Sequence, residues 1–317
     1  MDYIILIIGF ILLIKGADIF VDGSANIAKK FGIPPIVVGL TIVSLGTSTP
    51  ELAVSLISSL EGSNGITIGN VLGSNIFNTL MVLGVTSMIM PILIKKSTML
   101  KDYIVNILVT ILLLVLTFTR TLFNMEPGLS RLSGIILLIV CIAYTVYLIK
   151  SAKGESKDKE KSEDIKILPS FIKILIGIIG IVWGGNLVVN SASSIAYSFG
   201  LSDKLVGLTI IAIGTSLPEL VTSMVAATKG ENDIAIGNVL GSNIFNILLI
   251  LGVSATITPI VISSVLLIDM IFLIGISILL GIFMFKGKDE KLYLGRIEGL
   301  ILVLIYISYM AYIIFRN

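Results

Sequence analysis

The sequence predicts an all-α polytopic membrane protein with ten transmembrane helices, arranged as two inverted five-helix repeats. Three observations carry this. Of 317 residues, 56% are hydrophobic and 13% charged, with a mean hydropathy of +1.07; a soluble domain carries about 25% charge. Apolar runs near the roughly 20 residues that cross a bilayer recur along the whole chain. They are continuously apolar rather than alternating, which argues against a barrel. Finally, Gly39 to Gly84 returns as Gly207 to Gly252 at a constant offset of 168 positions, with 28 of 46 residues identical. An internal repeat of this quality organises the reading of everything else.

Span 1 is expected near 3–28, starting almost at the amino terminus, and is read as a retained span rather than a cleaved signal. Its second half carries Lys15, Asp18 and Asp22. Lys15 and Asp18 are three apart and can pair on one face; lining an ion path is the other reading. Pro34 and Pro35 break the chain before span 2, near 36–60. Glu61 to Gly65 is a polar turn, and span 3 follows near 66–90, ended by Pro91. Spans 4 and 5 lie near 101–120 and 131–150. These form the first repeat, residues 1–150.

Residues 151–169 are a mixed-charge, hydrophilic linker, too short to hold a domain. The second repeat, 170–317, places span 6 near 171–198 and span 7 near 204–228. Spans 8, 9 and 10 follow near 233–257, 262–286 and 293–315. The offset already holds at Gly9 and Gly177, and at Phe31-Gly32 and Phe199-Gly200, so the repeated unit includes the first span of each half.

An odd number of spans per half inverts the second half relative to the first. Lysine placement agrees. Lys29, Lys30, Lys95, Lys96, Lys101, Lys229, Lys286, Lys288, Lys291 and the linker lysines fall on one side. The other side carries Arg120, Arg131, Lys204 and Arg316. The positive-inside rule puts the first set in the cytoplasm and both termini outside, in a multi-pass cell-membrane protein.

The repeats hold the only Pro-Glu pairs of the apolar segments, Pro50-Glu51 and Pro218-Glu219. Each proline removes an amide donor and clashes with the carbonyl four residues back. Carbonyls near Gly46-Thr47 and Gly214-Thr215 should therefore be freed, which is tolerated at membrane depth only beside a cavity or inside protein. Ser44, Thr47, Ser48, Glu51 and Ser55 share one broad helix face. The second copy carries Thr215, Ser216, Glu219 and Ser223 there, with Ala212 in place of Ser44. Ser74 and Asn78 stand four apart on span 3, as do Ser242 and Asn246 on span 8. This is an all-oxygen set suited to calcium and other hard cations. Ser55, Ser223, Asn70 and Asn238 fit a helix-packing role better, and Gly69 and Gly73 permit close helix contact. The glutamates do not fit packing. A central acid costs about 2.5–3.5 kcal/mol on insertion scales, and spans 2, 3, 7 and 8 offer no basic partner within the bilayer, so a cation is the expected partner.

With G-T-S-x-P-E and G-N-V-L-G-S-N-I-F-N in each half, the sequence resembles the calcium/cation antiporter superfamily, and within it the sodium/calcium exchangers. The resemblance covers nearly the whole chain and is to a compact prokaryotic type, the linker being far too short for large regulatory domains. It implies countertransport of Na+ and Ca2+ by alternating access, with no cofactor and with a monomer as the working unit. It also implies calcium bound by Glu51 and Glu219 with the backbone oxygens of Thr47 and Thr215. Sodium would use Ser44, Thr47, Ser48, Glu51, Ser74, Ala212, Thr215, Ser216, Glu219 and Ser242, around central amides Asn78 and Asn246. Spans 1 and 6 resemble the pair that slides over the core. Some relatives have Asp at the position of Asn246, notably potassium-dependent exchangers; the amide argues against potassium coupling. Proton-coupled relatives usually carry an acid in the motif here written Gly69-Asn70-Val71-Leu72-Gly73, which argues for sodium. Ser44 against Ala212 makes the two outer sodium positions chemically unequal.

Two other readings stay open, a proton/calcium antiporter on the same fold and a cation channel with an acidic filter. A membrane enzyme is more distant, because without histidine no nucleophile–base pair is visible. The net charge of +2 gives no pointer to nucleic acid. The one cysteine, Cys141, lies in an apolar run and reads as a buried apolar residue.

Overall fold

In hydrocarbon every backbone N–H and C=O must be satisfied within the protein, and this chain does so with helices. The computed structural model describes residues 1–62, 64–123, 125–154, 165–200, 212–285 and 291–316. The beginning of span 7, most of the linker and Lys204, Lys286 and Lys288 lie outside the described residues.

Helix α1 (Asp2–Phe31) ends on Gly32, which adopts φ 61° as a left-handed cap. Span 2 is broken. It comprises α2 (Pro35–Val38), a π segment (Gly39–Val43) and α3 (Ser44–Thr47), then α4 (Thr49–Leu60) after a 51° bend. Span 3 joins α5 (Asn64–Phe77) through a π segment (Asn78–Val82) to α6 (Leu83–Ile89). Then come β1 (Ile92–Lys95), α7 (Lys96–Phe118), β2 (Gly128–Leu129) and α8 (Arg131–Gly154). Helix α9 (Ile167–Ser198) opens the second half; Pro169 in its first turn breaks no bond. A short helical piece (Ala212–Gly214) precedes α10 (Leu217–Thr228). Span 8 is α11 (Asn232–Phe245), a π segment (Asn246–Leu251) and α12 (Gly252–Ile257). Strand β3 (Ile260–Val261), α13 (Ser264–Met284), β4 (Lys291–Leu294) and α14 (Arg296–Arg316) complete the chain. Among the described residues, eight helices are long and apolar enough to cross a membrane, and the bent pair makes a ninth.

The most buried spans are the two that carry the GNVLGSNIFN motif. Their apolar windows are 72% and 94% buried, against 22–44% for the other single-helix spans. They form the centre, and the rest wraps them. Gly237 and Gly241 on α11 let the backbone around Gly39 and Leu40 pack against it, with Gly237 Cα 3.0 Å from the Cβ that Gly39 lacks. Gly69 and Gly73, expected to allow the same, have no atom of the described residues within 4 Å of an added Cβ.

Helices α1 and α9 run antiparallel along each other. Gly9 meets Val188, Gly16 meets Ile181 and Gly23 meets Ile174, so one chain index rises as the other falls. Glycines placed seven apart give this contact nearly bare backbone.

Two short antiparallel ribbons depart from a purely helical chain. Strand β1 pairs with β4 (Ile92 opposite Leu294), and β2 pairs with β3 (Leu129 opposite Ile260). Each ribbon joins the two halves. Because α7 runs from β1 to β2, the ribbons sit at opposite ends of the bundle. Lys96, Lys101 and Lys291 cluster at the β1–β4 end, and Arg120 and Arg131 at the other.

The expected Lys15–Asp18 pair is not made. Asp18 and Asp22 both take Lys229, at 2.7 and 2.6 Å, from the end of α10, and Lys29 approaches Glu231 at 3.4 Å. These contacts brace α1 against the core. A partner brought by the fold wins over one three residues away because two carboxylates converge on it.

Candidate functional site

Pro50 and Pro218 fall at the starts of α4 and α10, where a missing N–H costs nothing. Ser48 (φ −81°, ψ 11°) and Ser216 (φ −96°, ψ 6°), two residues before each proline, leave helical geometry at the N-cap positions, with no side-chain capping bond. Each glutamate thus lies in the first turn of a half-helix, where the helix dipole favours negative charge. The carbonyl freed by Pro50 belongs to Gly46, and the Thr49 hydroxyl donates to it at 3.0 Å. Leu217, the counterpart of Thr49, has no hydroxyl to do this for Gly214.

Glu51 and Glu219 are both fully buried. Each is served by the other half. Ser216 Oγ donates to Glu51 Oε1 at 3.0 Å, and Ser48 Oγ donates to Glu219 Oε1 at 2.7 Å. Ser74 and Ser242 add longer contacts to the same oxygens, 3.5 and 3.3 Å. Ser48 also meets Ser242 at 3.0 Å, and Ser216 meets Ser74 at 3.1 Å. The second oxygens, Glu51 Oε2 and Glu219 Oε2, are buried without a hydrogen-bond donor. Among the described residues, no lysine or arginine pairs with either carboxylate.

Around this centre lie the other oxygens. Asn78 Oδ1, Asn246 Oδ1 and Thr215 Oγ1 are buried and unpartnered. Thr47 Oγ1 donates to Asn238 Oδ1 at 3.0 Å and also lies 3.2 Å from the Ser44 carbonyl. Ser44 is buried beside Gly241 and donates to the Leu40 carbonyl at 2.8 Å. Ala212 begins the short helical piece before Thr215. The set is two carboxylates, carbonyls, hydroxyls and amides, the ligands of hard cations. Buried unpaired acceptors of this kind are costly unless a cation satisfies them.

The whole chain carries a recognisable pattern. Residues 1–150 and 169–315 match the family described as sodium/calcium exchanger protein. The chain belongs to that family. The sodium/calcium exchanger MaX1 of Methanosarcina acetivorans is 31% identical over 98% of this chain and 97% of its own length. The inner membrane protein YrbG of Escherichia coli is 36% identical over 80% of this chain and 79% of its own. Among solved structures, the sodium-calcium exchanger NCX_Mj soaked with Na+ and Sr2+ superposes with a TM-score of 0.83 at 34% identity. That match covers 98% of this chain and 97% of the other. The family is one of membrane transporters, not enzymes.

This family member also contains contacts that sequence reasoning did not find. Asn70 Nδ2 donates to Ser55 Oγ and to the Glu51 carbonyl (3.0 and 3.3 Å), and Asn238 Nδ2 repeats both bonds with Ser223 and Glu219 at the same distances. The four residues assigned to packing therefore brace each glutamate's backbone. Asn75 and Asn243 tie the two motif helices together (Asn75 Nδ2 to the Asn243 carbonyl, 3.0 Å). Their signal was available in the repeated GSNIFN. The π segments at Asn78 and Asn246 insert the extra residue per turn often found at functional sites. Away from the centre, Asp102 is buried beside the Tyr144 hydroxyl (3.1 Å), and Asp269 holds Arg316 through both oxygens, at 2.9 and 3.0 Å.

Proposed function

We propose that this exchanger moves Na+ and Ca2+ in opposite directions across the cell membrane by alternating access, with Ca2+ held between Glu51 and Glu219. The observation that carries the reading is the pair itself: two buried carboxylates at equivalent repeat positions, each with one unpartnered oxygen and, among the described residues, no ion pair to a basic side chain. One Ca2+ neutralises them, and so do two Na+. A site holding neither keeps two buried negative charges, which is expensive. The carrier therefore reorients when loaded and resists doing so when empty, and that resistance enforces exchange. Any Na+ beyond two makes the cycle electrogenic.

In this reading Thr47 and Thr215 complete the calcium site through their backbone oxygens. Sodium uses Ser44, Thr47, Ser48, Glu51 and Ser74 on one side, and Ala212 (by its backbone), Thr215, Ser216, Glu219 and Ser242 on the other. The amides Asn78 and Asn246 lie between them. The ten spans form inverted repeats, 1–150 and 170–317, joined by a cytoplasmic linker, with both termini outside. The opposed directions of α1 and α9 support the inversion, and their glycine contact suits helices that slide together over the core. The monomer is the transporting unit.

The test is calcium-45 uptake into potassium-free liposomes preloaded with sodium, with a proton ionophore present. Uptake that needs the outward sodium gradient, and that is indifferent to voltage with two Na+ per Ca2+ or rises with an inside-positive potential with more, supports the reading. Uptake driven by a pH gradient alone replaces it with proton exchange. Uptake down its own gradient with no counter-ion replaces it with a channel.

A further inference from the structure

The two central amides occupy equivalent repeat positions but are not held alike. Asn75 Nδ2 donates to the backbone carbonyl of Asn243 at 3.0 Å. A carbonyl only accepts, so the Asn75 amide has one orientation and its Oδ1 faces Asn246. Asn246 Nδ2 donates to that oxygen at 2.9 Å, which leaves Asn246 Oδ1 as its only remaining ligand atom.

The repeat predicts the mirror arrangement, with Asn243 Nδ2 on the Asn75 carbonyl and Asn78 Nδ2 on Asn243 Oδ1. Neither bond is made among the described residues. Thr79 intervenes. Its hydroxyl donates to the Asn75 carbonyl at 2.8 Å and accepts Asn243 Nδ2 at 3.0 Å. Asn243 is diverted, and Asn243 Oδ1, Asn78 Nδ2 and Asn78 Oδ1 are all buried without partners. The counterpart of Thr79 is Ile247, which has no hydroxyl, so nothing diverts Asn75 in the same way.

We infer that Thr79 is a positioning residue that leaves Asn78 free to turn while Asn246 stays fixed with its oxygen toward the site. The inference rests on the cation-exchange reading and deepens it. The site has to accept loads of different charge and number. A fixed amide offers only oxygen. A free amide offers oxygen to a cation, or its N–H to an unpartnered glutamate oxygen when fewer cations are present. One swivelling side chain thus adjusts a single site to its changing load.

Thr79→Val keeps the shape and removes the hydroxyl. Asn243 can then reach the Asn75 carbonyl directly and present Oδ1 to Asn78 Nδ2, locking Asn78 with its oxygen inward. The experiment is calcium-45 binding to the purified full-length protein without sodium, followed by sodium displacement. Thr79→Val should bind calcium about three- to tenfold more tightly, the scale of one orienting hydrogen bond. Thr79→Ser should match wild type, and Thr79→Val should add nothing in an Asn78→Ala background. Unchanged affinity in Thr79→Val, or the same shift in Thr79→Ser, would overturn the inference. If Thr79→Val does not fold, Ile247→Thr provides the reciprocal: it should divert Asn75, release Asn246 and weaken calcium binding by a similar factor, and no change there is equally fatal. A wild-type protein that binds no sodium-displaceable calcium removes the underlying reading instead.

Discussion

Replacing Glu51 or Glu219 by glutamine should abolish calcium transport, and the geometry says why so small a change is so damaging. Ser216 donates to Glu51 Oε1, and Ser48 to Glu219 Oε1. A serine hydroxyl can donate or accept, so a glutamine can keep this contact through either its oxygen or its nitrogen. In either orientation one of the two carboxylate oxygens is replaced by an amide nitrogen, which only donates. The substitution therefore removes a charge and one of two acceptor atoms. At an effective dielectric near 20, unit charges about 4 Å apart interact by about 4 kcal/mol, and a divalent ion by about twice that. If half of this is offset by easier desolvation, roughly 4 kcal/mol remains, close to a thousandfold in affinity. The assay is sodium-driven calcium-45 uptake into proteoliposomes by each mutant. Wild type should be measured alongside from neutral to acid pH. Protons bind the same carboxylates that calcium needs, so acidification should weaken wild-type uptake and leave the mutants without any to lose. Near-normal uptake by either mutant would remove that glutamate from the site and refute the charge argument.

Three further outcomes follow from the same architecture. Single cysteines placed at 160 and 317, in a Cys141→Ala background, should react with impermeant reagent from opposite sides of the membrane; labelling of both from one side would end the inverted-repeat assignment. Calcium flux should proceed without potassium, and Asn246→Asp, which adds an acid beside a fixed amide position, should change ion preference in competition assays rather than stop binding. Gly177→Ala should slow transport and leave calcium binding unchanged, because its Cβ would meet Phe20 Cβ at 2.6 Å and overpacking of this kind costs about 1–3 kcal/mol; equal transport rates would show that the α1–α9 contact does not move.

The sequence by itself was sufficient for the all-helical membrane class, the duplication and the family, because hydropathy and identity at a fixed offset are properties of the chain read in order. It also singled out Glu51 and Glu219, since an acid in an apolar run is improbable without a task. The break at Ser48 followed from Pro50 alone. What only the tertiary structure decided is who serves whom. Ser48 bonds Glu219, and Ser216 bonds Glu51, each across the two halves; residues so far apart meet only through helix packing, which leaves no local trace. Lys229, rather than Lys15, takes Asp18 for the same reason. The π segments at Asn78 and Asn246 were equally invisible, because one extra residue in a turn changes no apolar period enough to read. The unequal fates of Asn78 and Asn246 needed both levels. Thr79 against Ile247 is written in the chain, but its consequence exists only where the two motif helices touch and a hydroxyl stands between one amide and the carbonyl it would otherwise reach.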